Sequence, residues 1–528
     1  MKLSYFDPVL IFAVIPVLIL IYNFVPRKVR RYIMLIANFT FFFYISRYLV
    51  VFLMLSILSI FFYGIKIKQI NEEENKTLEG LEKDAKKEVK QRYNKKKKRW
   101  LIACLLFNIA FLFFFKYLNF FVINLNSLMK LFNMTKTFKV FRFLAPIGIS
   151  YYTLQAISYM VDVSNGLIEP ETNLLKLSLF MSFFPQIMEG PIAKYKETSE
   201  SLYEAEDVTY QNFCFGYQRI FFGFFKKFLI ADRLNILVKI IFLNYLEYSG
   251  FAVMIGIISY TILLYMEFSG TMDVVMGIAE IFNVNLPENF RQPFFAKNIS
   301  EFWQRWHITL GRFLKDYVFY PVSLSKPLKK LTINARKKLG NHFGPLVSGA
   351  IALFAVWALN GLWHGAGWNF IFYGMFHFIL ILTENMTEPY AIKLCNFMHI
   401  NRNSKIFRIF QSVKMTILVL IGEVFFRAPT VKQGFDMLKA VPRNFHIDKA
   451  ELLTLGLDKY DYLVIIFALL IIFIISLLKE FKVNIRESIA RKNIILRWTI
   501  YYLLIMSIII FGAYGIGYLP VAPIYADF

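Results

Sequence analysis

The chain has 528 residues, of which 57% are hydrophobic, 18% aromatic and only 18% charged, and its mean hydropathy is +0.50. This composition is far too apolar for a globular surface, so it excludes soluble multidomain proteins, disordered chains, collagen-like repeats and coiled coils. The net charge of +24 is typical of cytoplasmic loops in a membrane protein, and no nucleic-acid-binding module accompanies it. The sequence predicts an all-α polytopic membrane protein without a nucleic-acid partner.

The apolar segments set the number of membrane helices. The first runs from Val9 to Val25 and lacks a small-residue cleavage pattern after it, so we interpret it as a spanning helix, not a signal peptide. Because residues 211–246 could form one bent helix or two short ones, the predicted total is about 11–14. The further segments lie at 32–46, 48–65, 100–125, 143–162, 174–192, 211–230, 234–246, 251–282, 345–362, 367–384, 408–427, 461–479 and 495–517.

Basic residues in the N-terminal part predict its orientation. Four of them lie between Arg27 and Arg31, and residues 66–99 contain 13 Lys and Arg. Both segments are expected in the cytoplasm, which puts the N-terminus outside. The segment 66–99 is predicted as a solvated, partly helical loop, with a lipid or partner site as the alternative. No internal repeat is detectable, which disfavours a transporter built from inverted halves.

The predicted organisation has four consecutive segments. Residues 1–65 are N-terminal membrane helices, and 66–99 form the basic cytoplasmic loop. Residues 100–430 form a central segment, which the family resemblance described below implies to be the catalytic core, and 431–528 are C-terminal membrane helices.

The segment from Phe302 to Val322 combines aromatic residues with four charged ones. On a single helix, Arg305, Thr309, Arg312 and Asp316 would share one face, and Trp303, His307, Leu310 and Leu314 the other. Central charges make a lipid-exposed span unfavourable. The pattern predicts an amphipathic or re-entrant helix inside the protein, with one histidine on its apolar side.

Three of the six histidines, His307, His364 and His377, lie in apolar surroundings. Each could be a neutral, structurally hydrogen-bonded imidazole, or a functional group. His364 stands in a glycine-rich stretch between apolar segments, where irregular backbone is tolerated only along a cavity or inside protein. That stretch places His364 among the indoles and carboxamides of Asn360, Trp363, Trp368 and Asn369. A neutral imidazole there is suited to activate a hydroxyl group.

Other chemistries find no support in the motifs. The chain has neither an HExxH spacing, nor a G-x-S-x-G elbow, nor a phosphate-binding Gly-x-x-x-x-Gly-Lys-Ser/Thr loop. Its three cysteines are far apart, which argues against a disulfide framework or thiolate metal site. We therefore predict no metal.

A series of short motifs resembles the membrane-bound O-acyltransferase family. The similarity is strongest to the bacterial branch that contains the alginate O-acetylation membrane protein and the peptidoglycan O-acetyltransferase membrane subunit. Glu189 and Gln304 stand where many relatives have a small residue and an arginine. The motifs are Ala145–Thr153, Phe183–Gln186 with Gly190-Pro191, Phe225–Lys227 with Ala231-Asp232, Phe268–Gly270, Pro287–Phe290, Phe302–His307, Trp363–Trp368, Phe425–Ala428 and Tyr514–Tyr518.

The resemblance implies a ring of helices around a tunnel that crosses the membrane, with re-entrant segments at its centre. It also implies that His364 is catalytic and that His307 assists, by orienting the acyl group or stabilising the oxyanion. The residues predicted to bind substrate are Trp303, Arg305, Asn360, Trp363, Trp368, Asn369 and His377.

The expected activity is transfer of an acetyl group from cytoplasmic acetyl-CoA, the acyl donor, toward hydroxyls of a cell-surface or exported polysaccharide, with no permanently bound cofactor. An extracytoplasmic acetyltransferase partner would complete the transfer, and the chain would reside in the cytoplasmic (inner) membrane. The lysines Lys326, Lys329 and Lys330 could form a rim for the donor phosphates. They could equally be an ordinary positive-inside loop.

Three alternatives remain open from the sequence. D-alanyl transfer to teichoic acid would use the same chemistry with another acyl group. A polysaccharide exporter, or a scaffold that recruits a surface enzyme, would function without His364.

Overall fold

The computed structural model describes residues 4–134, 137–141, 144–515, 517–518 and 520–521. Within these ranges the regular structure is helical, there is no strand, and one isolated bridge joins Phe290 to Trp306. The chain forms two compact units that interleave along the sequence. The first comprises Met1–Tyr217 with Val275–Pro287, and the second comprises Gln218–Val274 with Glu288–Asp527. The four consecutive sequence segments stay a prediction.

The first unit contains short and long helices in alternation. Two π-helical turns adjoin them, Leu10–Val14 before α1 and Phe113–Tyr117 between α4 and α5. The helices are α1 (Ile15–Phe24), α2 (Arg27–Ser46), α3 (Val50–Leu78), α4 (Lys83–Leu112), α5 (Leu118–Leu131), α6 (Ile149–Ser164), α7 (Leu174–Ser182), α8 (Phe184–Ile187) and α9 (Tyr195–Glu204).

The second unit holds most of the remaining helices. Helices α10 (Tyr210–Lys226) and α12 (Gly250–Ile281) contribute residues to both units, and α11 (Asp232–Asn244) lies between them in sequence. Next come α13 (Ile299–Arg305), α14 (Ile308–Leu314), α15 (Tyr320–Ser323), α16 (Lys326–His364), α17 (Trp368–Phe397), α18 (Lys405–Arg427), α19 (Val431–Arg443), α20 (Lys449–Leu453), α21 (Lys459–Glu480), α22 (Ile485–Ala490) and α23 (Ile494–Phe511).

Eight helical stretches of the described chain are long and apolar enough to cross a membrane, which confirms a multi-pass membrane protein. This number is smaller than the predicted 11–14 because several predicted segments, such as α6 and α11, form helices too short to be included. Two of the eight contain two helices each: Arg27–Leu78, in which Arg47 has φ 49° and ends α2, and Lys83–Leu131, in which a π-helical turn separates α4 from α5. The eight stretches are Arg27–Leu78, Lys83–Leu131, Gly250–Ile281, Lys326–His364, Trp368–Phe397, Lys405–Arg427, Lys459–Glu480 and Ile494–Phe511.

The predicted loop at 66–99 is mainly helical. Helix α3 continues to Leu78 and α4 begins at Lys83. Ion pairs join the two helices, from Lys96 to Glu73 at 2.7 Å and from Lys97 to Glu74 at 2.5 Å. The excess basic charge therefore lies on helix surfaces, where partial pairing between neighbouring helices offsets repulsion.

The segment from Phe302 to Val322 is not one continuous amphipathic helix, so the predicted division into two faces is wrong. Helix α13 ends at Arg305, His307 has φ 46°, and α14 begins at Ile308. A π-helical turn then precedes α15. The break reorients the faces, and both Arg305 and Thr309 of the predicted polar face are buried.

Helices α16 and α17 form a tight pair in the second unit. A Cβ at Gly361 would lie 2.4 Å from the carbonyl oxygen of Phe370, and one at Gly374 would lie 2.3 Å from that of Trp357. Only glycine permits such close backbone approach. This crossing sets the position of the last turn of α16, where His364 lies.

Candidate active site

His364 is the last residue of α16. The chain leaves the helix there because Gly365 adopts extended backbone. A Cβ on Gly365 would lie 2.2 Å from the ring of Phe370, so this exit is packed against α17. The His364 side chain is buried, with its ring centroid 5.0 Å from that of Trp363 and 5.1 Å from that of Phe426.

His307 occupies the turn between α13 and α14. Its φ of 46° is uncommon for a residue with a Cβ, and such backbone is found where the surroundings hold it firmly, often at functional sites. The ring is buried against Phe268 at 4.8 Å and Trp363 at 5.6 Å. Its centroid is 6.5 Å from that of His364. The fold thus brings together two histidines that are distant in sequence.

Asn289 determines the protonation pattern of His307. The backbone N–H of Thr309 donates to Asn289 Oδ1 at 3.1 Å, which identifies that atom as the amide oxygen. His307 Nδ1 lies 3.1 Å from the same oxygen. Since an oxygen acceptor requires a donor, Nδ1 carries the hydrogen and Nε2 of the neutral ring carries the lone pair.

A second aromatic layer lies next to this pair. The His377 ring is fully buried and stacks on Trp357 with centroids 5.3 Å apart. Trp303 Nε1 donates to His377 Nδ1 at 3.4 Å. Tyr373 connects the two layers, because its ring is 4.7 Å from His377 and 6.1 Å from His364.

Several buried polar atoms in this region have no hydrogen-bond partner in the protein. Among the described residues, Asn360 Oδ1, His377 Nε2 and Glu423 Oε2 are buried and make no hydrogen bond. The other Glu423 oxygen accepts only a long hydrogen bond from the hydroxyl of Tyr373, at 3.3 Å. Buried polar atoms of this kind generally need an explanation, and binding of a polar substrate group supplies one.

Arg305 has a structural environment. Its guanidinium donates to Glu301 at 2.7 Å and to Glu480 at 2.8 Å, and the side chain is 10% exposed. Two carboxylates therefore already occupy its donors. These contacts indicate a structural role for Arg305, and its role in substrate binding stays a prediction; its partner Glu480 is 175 positions away in sequence.

Two residues of the glycine-rich stretch differ from expectation. Trp368 begins α17 with 62% of its surface exposed, unlike the buried Trp363. Asn369 Nδ2 donates to the carbonyl oxygen of Ala428 at 3.1 Å and so joins the start of α17 to the end of α18. For Asn369 the structure indicates a tether between helices, whereas the Trp363 ring contacts both His307 and His364. Asn360 is buried one helical turn before His364 on α16.

The predicted lysine rim is helical and not a loop. Lys326, Lys329 and Lys330 are exposed on the first turns of α16, which is broken further on at Gly340, where φ is 79°. Lys329 lines a surface groove of about 700 Å³, together with Arg336 and Lys337. The groove mixes basic and apolar side chains, as expected for a helix at a membrane interface.

Metal chemistry has no arranged ligand set in the described part of the chain, where no group of three or more His, Cys, Asp and Glu side chains could hold an ion.

The residues that sequence reasoning missed are Asn289, Phe268, Tyr373, Glu423 and Phe426. Asn289, Phe268 and Phe426 belong to motifs that carried the family resemblance, so the signal was present without a role attached. Tyr373 and Glu423 lie within apolar helices, where a single polar residue gives no indication of what it faces.

Comparisons with known proteins identify similar chains. Residues 105–336, which include His307, match the model of the membrane-bound O-acyltransferase family. The chain is 32% identical to a probable alginate O-acetylase AlgI of Pseudomonas aeruginosa over 65% of its length and 60% of the relative's.

Two further relatives extend the comparison. A peptidoglycan O-acetyltransferase of Helicobacter pylori is 32% identical over 66% of this chain and 65% of its own length. A teichoic acid D-alanyltransferase of Bacillus subtilis is 30% identical over 47% of this chain and 60% of its own. The chain thus spans 60–65% of the length of these curated relatives. Over the matched region, the chain is similar to the membrane-bound O-acyltransferase family and to these relatives.

Proposed function

We propose that this protein is an O-acyltransferase that moves an acetyl group from acetyl-CoA at the cytoplasmic face toward hydroxyls of a cell-surface or exported polysaccharide. The observation that carries the proposal is the buried pair His307 and His364, with ring centroids 6.5 Å apart in the second unit. The three relatives are named for acyl transfer to alginate, peptidoglycan or teichoic acid, which supports a polymeric acceptor.

In the proposed reaction, His364 accepts the proton of the attacking hydroxyl as its oxygen forms a bond to the acetyl carbon. The carbon–sulfur bond breaks, and the proton passes to the leaving thiolate, so that an acetyl ester and free coenzyme A result. General-base catalysis by a positioned imidazole typically contributes about 10²- to 10⁴-fold.

The role of His307 follows from its tautomer. With Nδ1 donating to Asn289, the neutral ring presents a lone pair at Nε2, which can accept a hydrogen bond from a substrate donor other than the attacking hydroxyl, whose proton goes to His364. It could donate to an oxyanion only after protonation. The two roles predicted for His307 were to orient the acyl group and to stabilise the oxyanion. Because the second role requires protonation of the ring, we propose that His307 orients the substrate.

An extracytoplasmic partner forms part of the proposal. Connections between helices of the described chain are short, and none of them forms a domain large enough to hold a polysaccharide. A separate enzyme would then receive the acetyl group and place it on the polymer. The proposed location is the cytoplasmic membrane, where acetyl-CoA is available on one side.

The test measures esters on surface polymers of cells that carry the wild-type chain, His364→Ala, the matched control His446→Ala, or no chain. His446 is an exposed histidine of the same unit. Esters are released with mild base, and acetate and D-alanine are quantified separately in each polymer fraction. We expect one ester to be lost with His364→Ala and retained with His446→Ala.

The identity of the missing acid distinguishes acetyl from D-alanyl transfer, which the Bacillus subtilis relative keeps as the second candidate. Full ester content with His364→Ala, at normal protein level, would contradict the catalytic role and favour an exporter or scaffold.

A further inference from the structure

A cleft in the second unit contains three cations with only two carboxylates. Its charged residues, which we call the cationic cleft, are Arg219, Lys226, Lys479, Asp273 and Glu288. Asp273 is shared, since it accepts from Arg219 Nε at 3.1 Å and from Lys226 Nζ at 2.6 Å. Lys479 lies over the Phe222 ring at 5.6 Å. The cleft therefore carries an excess of positive charge beside an aromatic wall.

Glu288 is the replaceable member of this set. Arg219 Nη2 donates to both Glu288 oxygens, at 2.8 and 2.7 Å, yet the Glu288 side chain is 61% exposed. By contrast, Arg219, Asp273 and Lys226 are only 9–14% exposed. An exposed ion pair contributes little stability, so another anion can take the place of the glutamate at low cost.

Phosphate is the anion that suits this geometry. A guanidinium forms strong paired hydrogen bonds with phosphate oxygens, and nearby ammonium groups add charge. The free space in the cleft is about 50 Å³, close to the volume of one or two water molecules. A phosphate group would therefore bind where the Glu288 carboxylate now lies, in exchange with it.

The distribution of basic residues assigns the cleft to the cytoplasmic ends of its helices. Lys479 is near the end of α21, and the following residues to 493 contain four more basic side chains and two acidic ones, which favours the cytoplasm. Asp273 is likewise near the end of α12. The start of α12 lies at the end of the helices opposite to the cleft. Its Gly250 N–H donates to the carbonyl oxygen of Asn444 at 2.8 Å, and Asn444 precedes the start of α21 in the chain.

The cleft also adjoins the histidine pair. Glu288 directly precedes Asn289, which lines the cleft and accepts the hydrogen bond of His307 Nδ1. A ligand that displaces Glu288 would thus act on the segment that positions His307.

We propose that the cationic cleft binds the phosphate of a phosphorylated pantetheine thioester, with Arg219 as its main ligand and Glu288 as the group that it displaces. This inference rests on the proposed function, because it assumes such an acyl donor. It assigns the donor phosphate to residues other than the exposed lysines of α16.

The test is equilibrium binding to the full chain in detergent, with coenzyme A, 4′-phosphopantetheine and phosphate-free pantetheine as probes. Arg219→Gln should weaken coenzyme A binding by about tenfold or more, and leave pantetheine binding unchanged. Glu288→Gln should tighten binding of both phosphorylated probes several-fold, since it removes the competing carboxylate. Arg402→Gln, which breaks the surface pair with Glu388 at 2.9 Å, is the matched control and should change nothing.

The exposed position of Glu288 makes its variant informative even if Arg219→Gln does not fold. Coenzyme A affinity that is unchanged in Glu288→Gln, with a binding-competent wild type, would overturn the inference. Ester loss in His364→Ala together with that result would keep the proposed function and reject only the cleft. Absence of binding of all phosphorylated probes to the wild type would reject the cleft and the proposed donor together.

The two phosphorylated probes also distinguish the source of the phosphate. Tighter binding of coenzyme A than of 4′-phosphopantetheine would indicate a free coenzyme as the donor, and equal binding would indicate the phosphopantetheine arm of a carrier protein.

Discussion

Asn289 offers a direct test of how His307 is positioned. Its Oδ1 accepts from His307 Nδ1 at 3.1 Å, and from the N–H and hydroxyl of Thr309 at 3.1 and 3.0 Å. Asn289→Ala removes this acceptor and leaves the imidazole free to change tautomer or rotate. Asn289 acts through His307, so it is a positioning residue and not a catalytic one.

The expected effect of Asn289→Ala on kcat and on stability follows from the number of hydrogen-bond donors that lose their acceptor. A buried donor left without its acceptor costs about 1–3 kcal/mol. If the His307 share of that cost falls on the transition state, kcat decreases about 5- to 150-fold. The Thr309 share falls on the turn between α13 and α14 and lowers stability instead.

The assay measures acetyl transfer by membranes that contain wild type, Asn289→Ala, Asn289→Asp or the exposed control Asn403→Ala. We expect kcat per folded molecule to fall for Asn289→Ala, while the KM for acetyl-CoA changes little. Asn289→Asp keeps an acceptor oxygen and should recover most of the rate. If Asn289 had only a structural role, its variants would reduce the amount of folded protein, and kcat per folded molecule would not differ between Asn289→Ala and Asn289→Asp. A kcat within about twofold of wild type for folded Asn289→Ala would refute the reasoning.

Two further predictions concern α16. Gly361→Ala should lower the thermal unfolding midpoint, because its Cβ would lie 2.4 Å from the Phe370 carbonyl oxygen and such overpacking typically costs about 1–3 kcal/mol. Gly349→Ala should leave the midpoint unchanged or raise it, because a Cβ there would meet no packing neighbour within 4 Å. An equal response of both variants in a detergent melting experiment would contradict the close-packing argument. If the lysine rim binds donor phosphates, glutamine substitutions there should raise the KM for acetyl-CoA; an unchanged KM would leave an interfacial role for Lys326, Lys329 and Lys330.

Part of the candidate site could be predicted from the sequence because its signals are local. The composition indicates a membrane protein, since apolar segments of sufficient length have no soluble alternative. His364 stands out because the glycines on both sides interrupt apolar helices. His377 and Trp303 were also named, although nothing in the sequence indicated that one hydrogen-bonds the other.

The tertiary structure decided which of these residues share an environment. Periodicity predicted one helix through His307, but the chain turns there in the left-handed region, held by Asn289 from 18 positions earlier. The ion pair between Arg305 and Glu480 could not be predicted, because the two residues are 175 positions apart in sequence.

The sequence by itself determined the membrane class, the family resemblance and the pair of histidines, because apolar length and glycine placement act within a few turns of chain. Only the fold decided the tautomer of His307, the buried Glu423 and the cationic cleft. Each of these depends on contacts between separate helices, and such contacts follow from packing geometry that no local pattern records.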